Sequence, residues 1–146
     1  MTNPAAALNE LIEITRDGQT FYTDAVSRVT NPHLKAVFRA LIDVKTKMIS
    51  ALSEHVRARG IEPSAQGTLA GNFQKLYAEV RAKLTARTDT TFVAQLEAAE
   101  DRLLGAFEQA AADAEDPQLR AIITQHLPKV RLCHDEMRNL KVALVA

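Results

Sequence analysis

Three Asx-Pro steps, Asn3-Pro4, Asn31-Pro32 and Asp116-Pro117, divide this chain before any other feature is considered. In each, the polar side chain is placed to accept a hydrogen bond from a free backbone N–H. The proline takes the first helical position, where its missing donor costs nothing. They predict helices from Pro4 to about Val29, from Pro32 to about Arg59, and from Asp116 to about Ala143, with Gly60 as a C-terminal stop for the second. A further long helix is expected from Asp89 to about Ala114, and a shorter one from Leu69 to about Ala86 behind a Thr68 cap.

The apolar periods of these segments are helical throughout. The first turns Leu8, Leu11, Thr15 and Tyr22 to one face, and the second Leu34, Leu41, Lys45, Met48 and Leu52. The segment from Asp89 turns in Val93, Leu96, Glu100, Leu103 and Phe107. The last carries Leu119, Ile123, His126, Val130, Cys133, Met137 and Lys141 on one stripe, with His134 on its flank. Pro128 lies near the middle of that segment and removes a bond to the carbonyl of Thr124, at a cost of about 3 kcal/mol. Because the apolar period continues in phase across it, a kinked single helix is expected rather than two helices.

Composition narrows the class. Aromatic residues make up 5% of the chain, Ala, Leu, Glu and Lys are abundant, and β-branched runs are absent, so the expectation is all-α. The 146 residues suit a single domain spanning 1–146. Lys+Arg and Asp+Glu are equal at 18 each, which argues against a nucleic-acid or anionic-membrane binder. No apolar run reaches a membrane span and no basic-then-apolar leader is present, so a bacterial-type cytoplasmic location is expected. Cys133 is the single cysteine, so no disulfide closes within the chain.

Four helices of this length would each span roughly 38 Å, and the shorter helix about 25 Å. The short one is long enough to run back along a bundle instead of forming a hairpin. One long connection between two antiparallel pairs is the ferritin-like arrangement, here a four-helix bundle with a short crossover helix between the second and third long helices. A plain up-down bundle is the rival. Counting depth from a common end brings Gln19, Tyr22, Lys45, Glu100 and His134 within one to two turns of one another, an expected buried polar layer. A Lys–Glu pair bonded to phenol or imidazole would satisfy itself there.

Ferritin-like carboxylate proteins hold two metals in such a layer, with a Glu on each of two helices and Glu-x-x-His on each of the others. This chain has no Glu-x-x-His, and Lys45 brings a positive charge to the layer. The expectation is no metal and no cofactor. The alternative is a degenerate site for iron or another divalent metal on Glu97, Glu100 and His134. His126 and His134 are roughly 12 Å apart along one helix and do not share an ion. Nucleophilic chemistry finds no support either: Cys133 and His134 are adjacent and point about 100° apart. Gly67-Thr68-Leu69-Ala70-Gly71 lacks the Lys-Ser/Thr of a phosphate loop. The balance leans away from an enzyme.

Several segments together resemble a known family. They are Leu8-Asn9-Glu10-Leu11-Ile12 leading to Asp17-Gly18, the Gly67–Gly71 turn, Glu97 with Glu100-Asp101, and His134-Asp135 followed by Arg138-Asn139-Leu140. Their order and spacing, from Leu8 to Leu140, are similar to bacterial ferritin-like four-helix-bundle proteins that carry a domain of unknown function. The resemblance implies the crossover topology and an intracellular bacterial protein. Thr20 stands where similar proteins often have a glutamate, which removes a first-helix carboxylate. The expected function is therefore a non-enzymatic bundle with a structural polar core and a binding or stress-adaptation role. Its alternative is a metal-dependent redox or storage protein. A homodimer through apolar residues such as Phe21 and Ile49 is a further expectation; packing of both against the crossover helix is the other place for them.

Overall fold

The computed structural model describes residues 3–65 and 89–145. Among these, four helices follow one another: α1 (Pro4–Arg28), α2 (Pro32–Ala58), α3 (Asp89–Asp113) and α4 (Pro117–Val145). The chain is an all-α four-helix bundle. The crossover helix expected from Leu69 to Ala86, with the Gly67–Gly71 turn before it, lies outside the described residues.

Each Asx-Pro step starts a helix by the expected contact. Asn3 Oδ1 accepts from the Ala5 amide at 2.9 Å, and Asn31 Oδ1 from the amides of His33 at 2.8 Å and Leu34 at 3.4 Å. Asp116 Oδ1 accepts from the Gln118 amide at 2.9 Å. Gly60 ends α2 with φ +74°, a left-handed conformation that glycine adopts without a Cβ penalty. Its amide bonds back to the Arg57 carbonyl at 2.9 Å.

Contacts at the helix ends decide the topology. At one end of the bundle the Asp89 carboxylate accepts from the Thr30 amide and hydroxyl and the Asn31 amide, each at 3.0 Å. At the other end Arg59 Nη2 lies 3.7 Å from Asp116 Oδ2. Thus α2 and α3 start together and finish together, so they run parallel. The connection between them joins opposite ends of the bundle, which removes the up-down rival. Its first residues already turn that way: Asn9 donates to the Glu62 carbonyl at 3.2 Å and accepts from the Ser64 amide at 2.9 Å. Glu13 then accepts from the Ser64 hydroxyl at 2.9 Å, and Arg16 donates to the Ser64 carbonyl at 3.1 Å.

Two apolar clusters fill the bundle. One gathers Leu8, Ile12, Met48, Leu52, Phe107 and Ile123 near the Arg59–Asp116 end. The other gathers Tyr22, Phe38, Phe92, Leu96, Cys133 and Met137 toward Asp89. Lys45 and Glu100 are buried without belonging to either cluster. Phe21 and Ile49 are 5% and 6% exposed, so neither presents an open apolar face for a dimer.

Pro128 sits inside one continuous α4, not at a break between two helices. It and Thr124 are both exposed, so the turn that loses a backbone hydrogen bond lies on the solvent side of the helix. Among the described residues no helix is long and apolar enough to cross a membrane.

Candidate functional site

The inward faces of α1, α2 and α3 meet at three polar side chains. Tyr22 donates its hydroxyl hydrogen to Glu100 Oε1 at 2.8 Å, and Lys45 Nζ lies 2.7 Å from the same oxygen. Lys45 is fully buried and Glu100 is 2% exposed. Nζ is close to Oε1 but not along a hydrogen-bonding direction, and no other hydrogen-bond partner reaches it among the described residues. The ammonium is therefore held chiefly by charge. It also stands 5.4 Å from the centre of the Tyr22 ring, within range of the ring's negative face. Phe38 packs edge-on to that ring with centroids 5.6 Å apart. Burial, followed by the charge and hydrogen bond of Glu100, pushes the Tyr22 phenol well above its usual pKa, so it stays a donor.

Two residues expected in this layer are elsewhere. Gln19 lies toward the surface and donates to Thr46 Oγ1 at 2.8 Å, because its position on α1 turns it along the α1–α2 seam. His134 faces out of the bundle between α3 and α4. Its Nε2 lies 2.5 Å from Asp101 Oδ1 and its Nδ1 3.1 Å from Asp135 Oδ1. The trio Glu97, Glu100 and His134 is likewise not assembled, since Glu100 points inward to Lys45. Asp101 takes its place: ligand atoms of Glu97, Asp101 and His134 lie within 4.8 Å of one another.

This second cluster is partly wet. The His134 side chain is 13% exposed, Glu97 13% and Asp101 58%, and Lys141 reaches Glu97 Oε2 at 3.4 Å. Partial burial works against protonation of His134, but hydrogen bonds and charge from Asp135 and Asp101 outweigh it and raise its pKa. The signal for Asp101 was present in the sequence. Glu97 and Asp101 are four residues apart and so share one helix face.

Gly18 lets Lys45 in. A Cβ on Gly18 would stand 3.1 Å from Lys45 Cε and 3.2 Å from Cδ. Beside it a cavity of about 20 Å³ is bordered by Ile14, Gly18, Phe21, Glu100 and Leu103. Glu100 Oε2 has no hydrogen-bond partner among the described residues. At the other apolar cluster His126 is buried with no hydrogen-bond partner for Nδ1 among the described residues, and burial, then Lys129 and His55, hold its pKa below the usual imidazole value.

Residues 3–111 match the model of a family described as Domain of unknown function (DUF2383). A crystal structure described as ferritin like, diiron-carboxylate proteins from Bacillus anthracis str. Ames is similar, with a TM-score of 0.72 and 14% identity over 97% of this chain and 99% of that chain. At that identity the likeness shows the fold, which is ferritin-like. No curated protein matches.

The interior donor set does not fit a dinuclear metal centre. Where the carboxylate proteins need Glu-x-x-His on two helices, the buried pairs at that spacing beside Glu100 are Lys45 with Met48 on α2 and Val130 with Cys133 on α4. Glu100 is the one buried carboxylate among the described residues, and its near oxygen already faces an ammonium and a phenol. Two divalent cations would find one carboxylate and a competing positive charge.

Proposed function

This chain belongs to the family described as Domain of unknown function (DUF2383), and we propose that it is a non-enzymatic ferritin-like bundle whose interior is structural. Its role is one of binding, exercised through its surface, in a bacterial cytoplasm and in the service of stress adaptation. The observation that carries this reading is the fully buried Lys45 ammonium 2.7 Å from Glu100 Oε1. A charge removed from water in this way is tolerated only when paired, and the pairing consumes the carboxylate that metal chemistry would use. A homodimer belongs to the same reading. Among the described residues, Leu132, Val142 and Leu144, 63%, 62% and 38% exposed, are the large apolar side chains that α4 leaves open to a second copy.

The test is the metal content and thermal stability of protein purified without chelator or affinity tag, compared with Lys45→Met and Glu100→Gln. No core-dependent metal, with both variants melting earlier, is the expected result. Near-stoichiometric iron or manganese that disappears in Glu100→Gln would overturn the reading and make the interior a working metal centre.

A further inference from the structure

Outside the core, the geometry points to a mononuclear site for a divalent transition metal, with zinc as its best fit, formed by Glu97 and Asp101 of α3 and His134 of α4. This goes beyond the structural reading of the interior, because none of the three residues contributes to the Tyr22–Lys45–Glu100 network.

The donors come from two helices and converge. Glu97 and Asp101, one turn apart on α3, present two carboxylates to the seam, and His134 meets them from α4. Their ligand atoms lie within 4.8 Å of one another. Around a tetrahedral ion with bonds of about 2.0–2.1 Å, donors stand about 3.3 Å apart, so side-chain rotation that opens the His134–Asp101 pair from 2.5 Å and draws in Glu97 would admit the ion.

The imidazole is oriented by a residue outside the trio. Asp135 Oδ1 lies 3.1 Å from Nδ1, while Nε2 points toward Asp101. A metal ion displaces the proton that Nε2 shares with Asp101, Asp135 keeps the one on Nδ1, and the Nε2 lone pair is then directed to the ion, which is the carboxylate–histidine–metal relation of known zinc sites. The ring is 13% exposed, so its orientation is limited by packing.

Two carboxylates and an imidazole suit zinc, iron(II) or manganese(II) more than a soft monovalent ion, and the affinity order places zinc above the other two. Asp101 is 58% exposed, which leaves the outer side open for water to complete the coordination. Lys141 competes for Glu97 from 3.4 Å, but with 46% of its side chain exposed it holds that carboxylate weakly and would be displaced.

The experiment is calorimetric titration of chelator-stripped full-length protein with zinc in a non-coordinating buffer, alongside His134→Ala, Asp101→Asn, Asp135→Asn, Lys141→Ala and Tyr22→Phe. The expected result is one equivalent bound by the parent and by Tyr22→Phe, with affinity reduced at least about tenfold in His134→Ala and Asp101→Asn. Asp135→Asn should weaken binding about 10- to 100-fold without removing a ligand, and Lys141→Ala should tighten it. Circular dichroism of each variant separates lost binding from lost fold. Absence of saturable one-to-one binding overturns the site, as does binding retained by His134→Ala and Asp101→Asn together. Binding lost in Tyr22→Phe with His134→Ala unaffected overturns it too, and in addition contradicts a structural interior.

Discussion

Gly18 and Lys45 are packed as one unit: the aliphatic end of the lysine lies against α1 where a methyl group on Gly18 would stand 3.1 Å from Cε and 3.2 Å from Cδ. Glycine in the middle of a helix is unfavourable by roughly 0.8–1.0 kcal/mol relative to alanine. That loss is tolerated here because the ammonium at the tip of the same side chain must reach Glu100. Anchored at both ends, Lys45 has little freedom to step aside.

Gly18→Ala is therefore expected to bring no stabilisation in the parent. In a Lys45→Ala background the obstruction is gone, and the same substitution should recover about 1 kcal/mol of helix propensity. Urea denaturation of the four proteins in this cycle reads the coupling directly. Equal effects of Gly18→Ala in the two backgrounds would contradict the packing relation.

Breaking the Lys45–Glu100 pair from one side leaves the other charge buried. Glu100→Gln alone is expected to cost about 3–5 kcal/mol. The double variant Lys45→Met with Glu100→Gln removes both charges and keeps an acceptor for the Tyr22 hydroxyl, so it should regain most of that loss. Chemical denaturation midpoints decide it, and a double variant as unstable as the single one would show that the network does more than neutralise itself.

Tyr22→Phe tests the third member. Its hydroxyl donates a hydrogen bond to Glu100 Oε1 at 2.8 Å. A hydrogen bond to a charged group contributes about 1.5–3 kcal/mol, and a loss at the lower end of that range is expected because Lys45 still faces the same oxygen.

Acid should weaken the fold through His126. Burial first, then Lys129 and His55, hold its folded pKa below that of the unfolded imidazole. The unfolded chain thus takes up the proton first as pH falls below about 6.5, and stability declines from there toward the folded pKa. Replacing His126 with Leu should flatten the stability difference between pH 7.5 and pH 5.5. His134 has a raised pKa and contributes with the opposite sign, its stabilisation being lost as pH rises through the folded value, so the comparison with His126→Leu isolates the buried ring.

Cys133 should be silent in the native protein. It is 1% exposed, and burial pushes its thiol up to about 11, so neither access nor thiolate is available. A disulfide reagent is expected to titrate it only on unfolding, at a rate that follows the opening of the bundle.

Much of this architecture was legible from local signals. The Asx-Pro steps located three helix starts because a cap acts within a single turn, and Gly60 located an end for the same reason. Helical periodicity singled out Lys45 and Glu100 as polar residues on otherwise apolar faces, since burial follows the angle around a helix axis. Segment lengths and the family resemblance favoured a parallel course for α2 and α3 with the up-down bundle as rival, and the Asp89 and Arg59 contacts decide for it.

By itself, then, the sequence determined where the helices begin and which faces they bury, and it left two courses for the connection between α2 and α3. Tertiary structure decided which atoms meet. A helical wheel assigns His134 to a flank but does not say that its ring swings outward to Asp101, nor that Glu100 turns away from Glu97 toward Lys45. It assigns Gln19 to the level of Lys45 yet does not foresee the turn toward Thr46. Those outcomes depend on axial register between helices and on rotamers chosen by neighbours far apart in the chain. The place Gly18 leaves for Lys45 exists only once α1 and α2 are packed together.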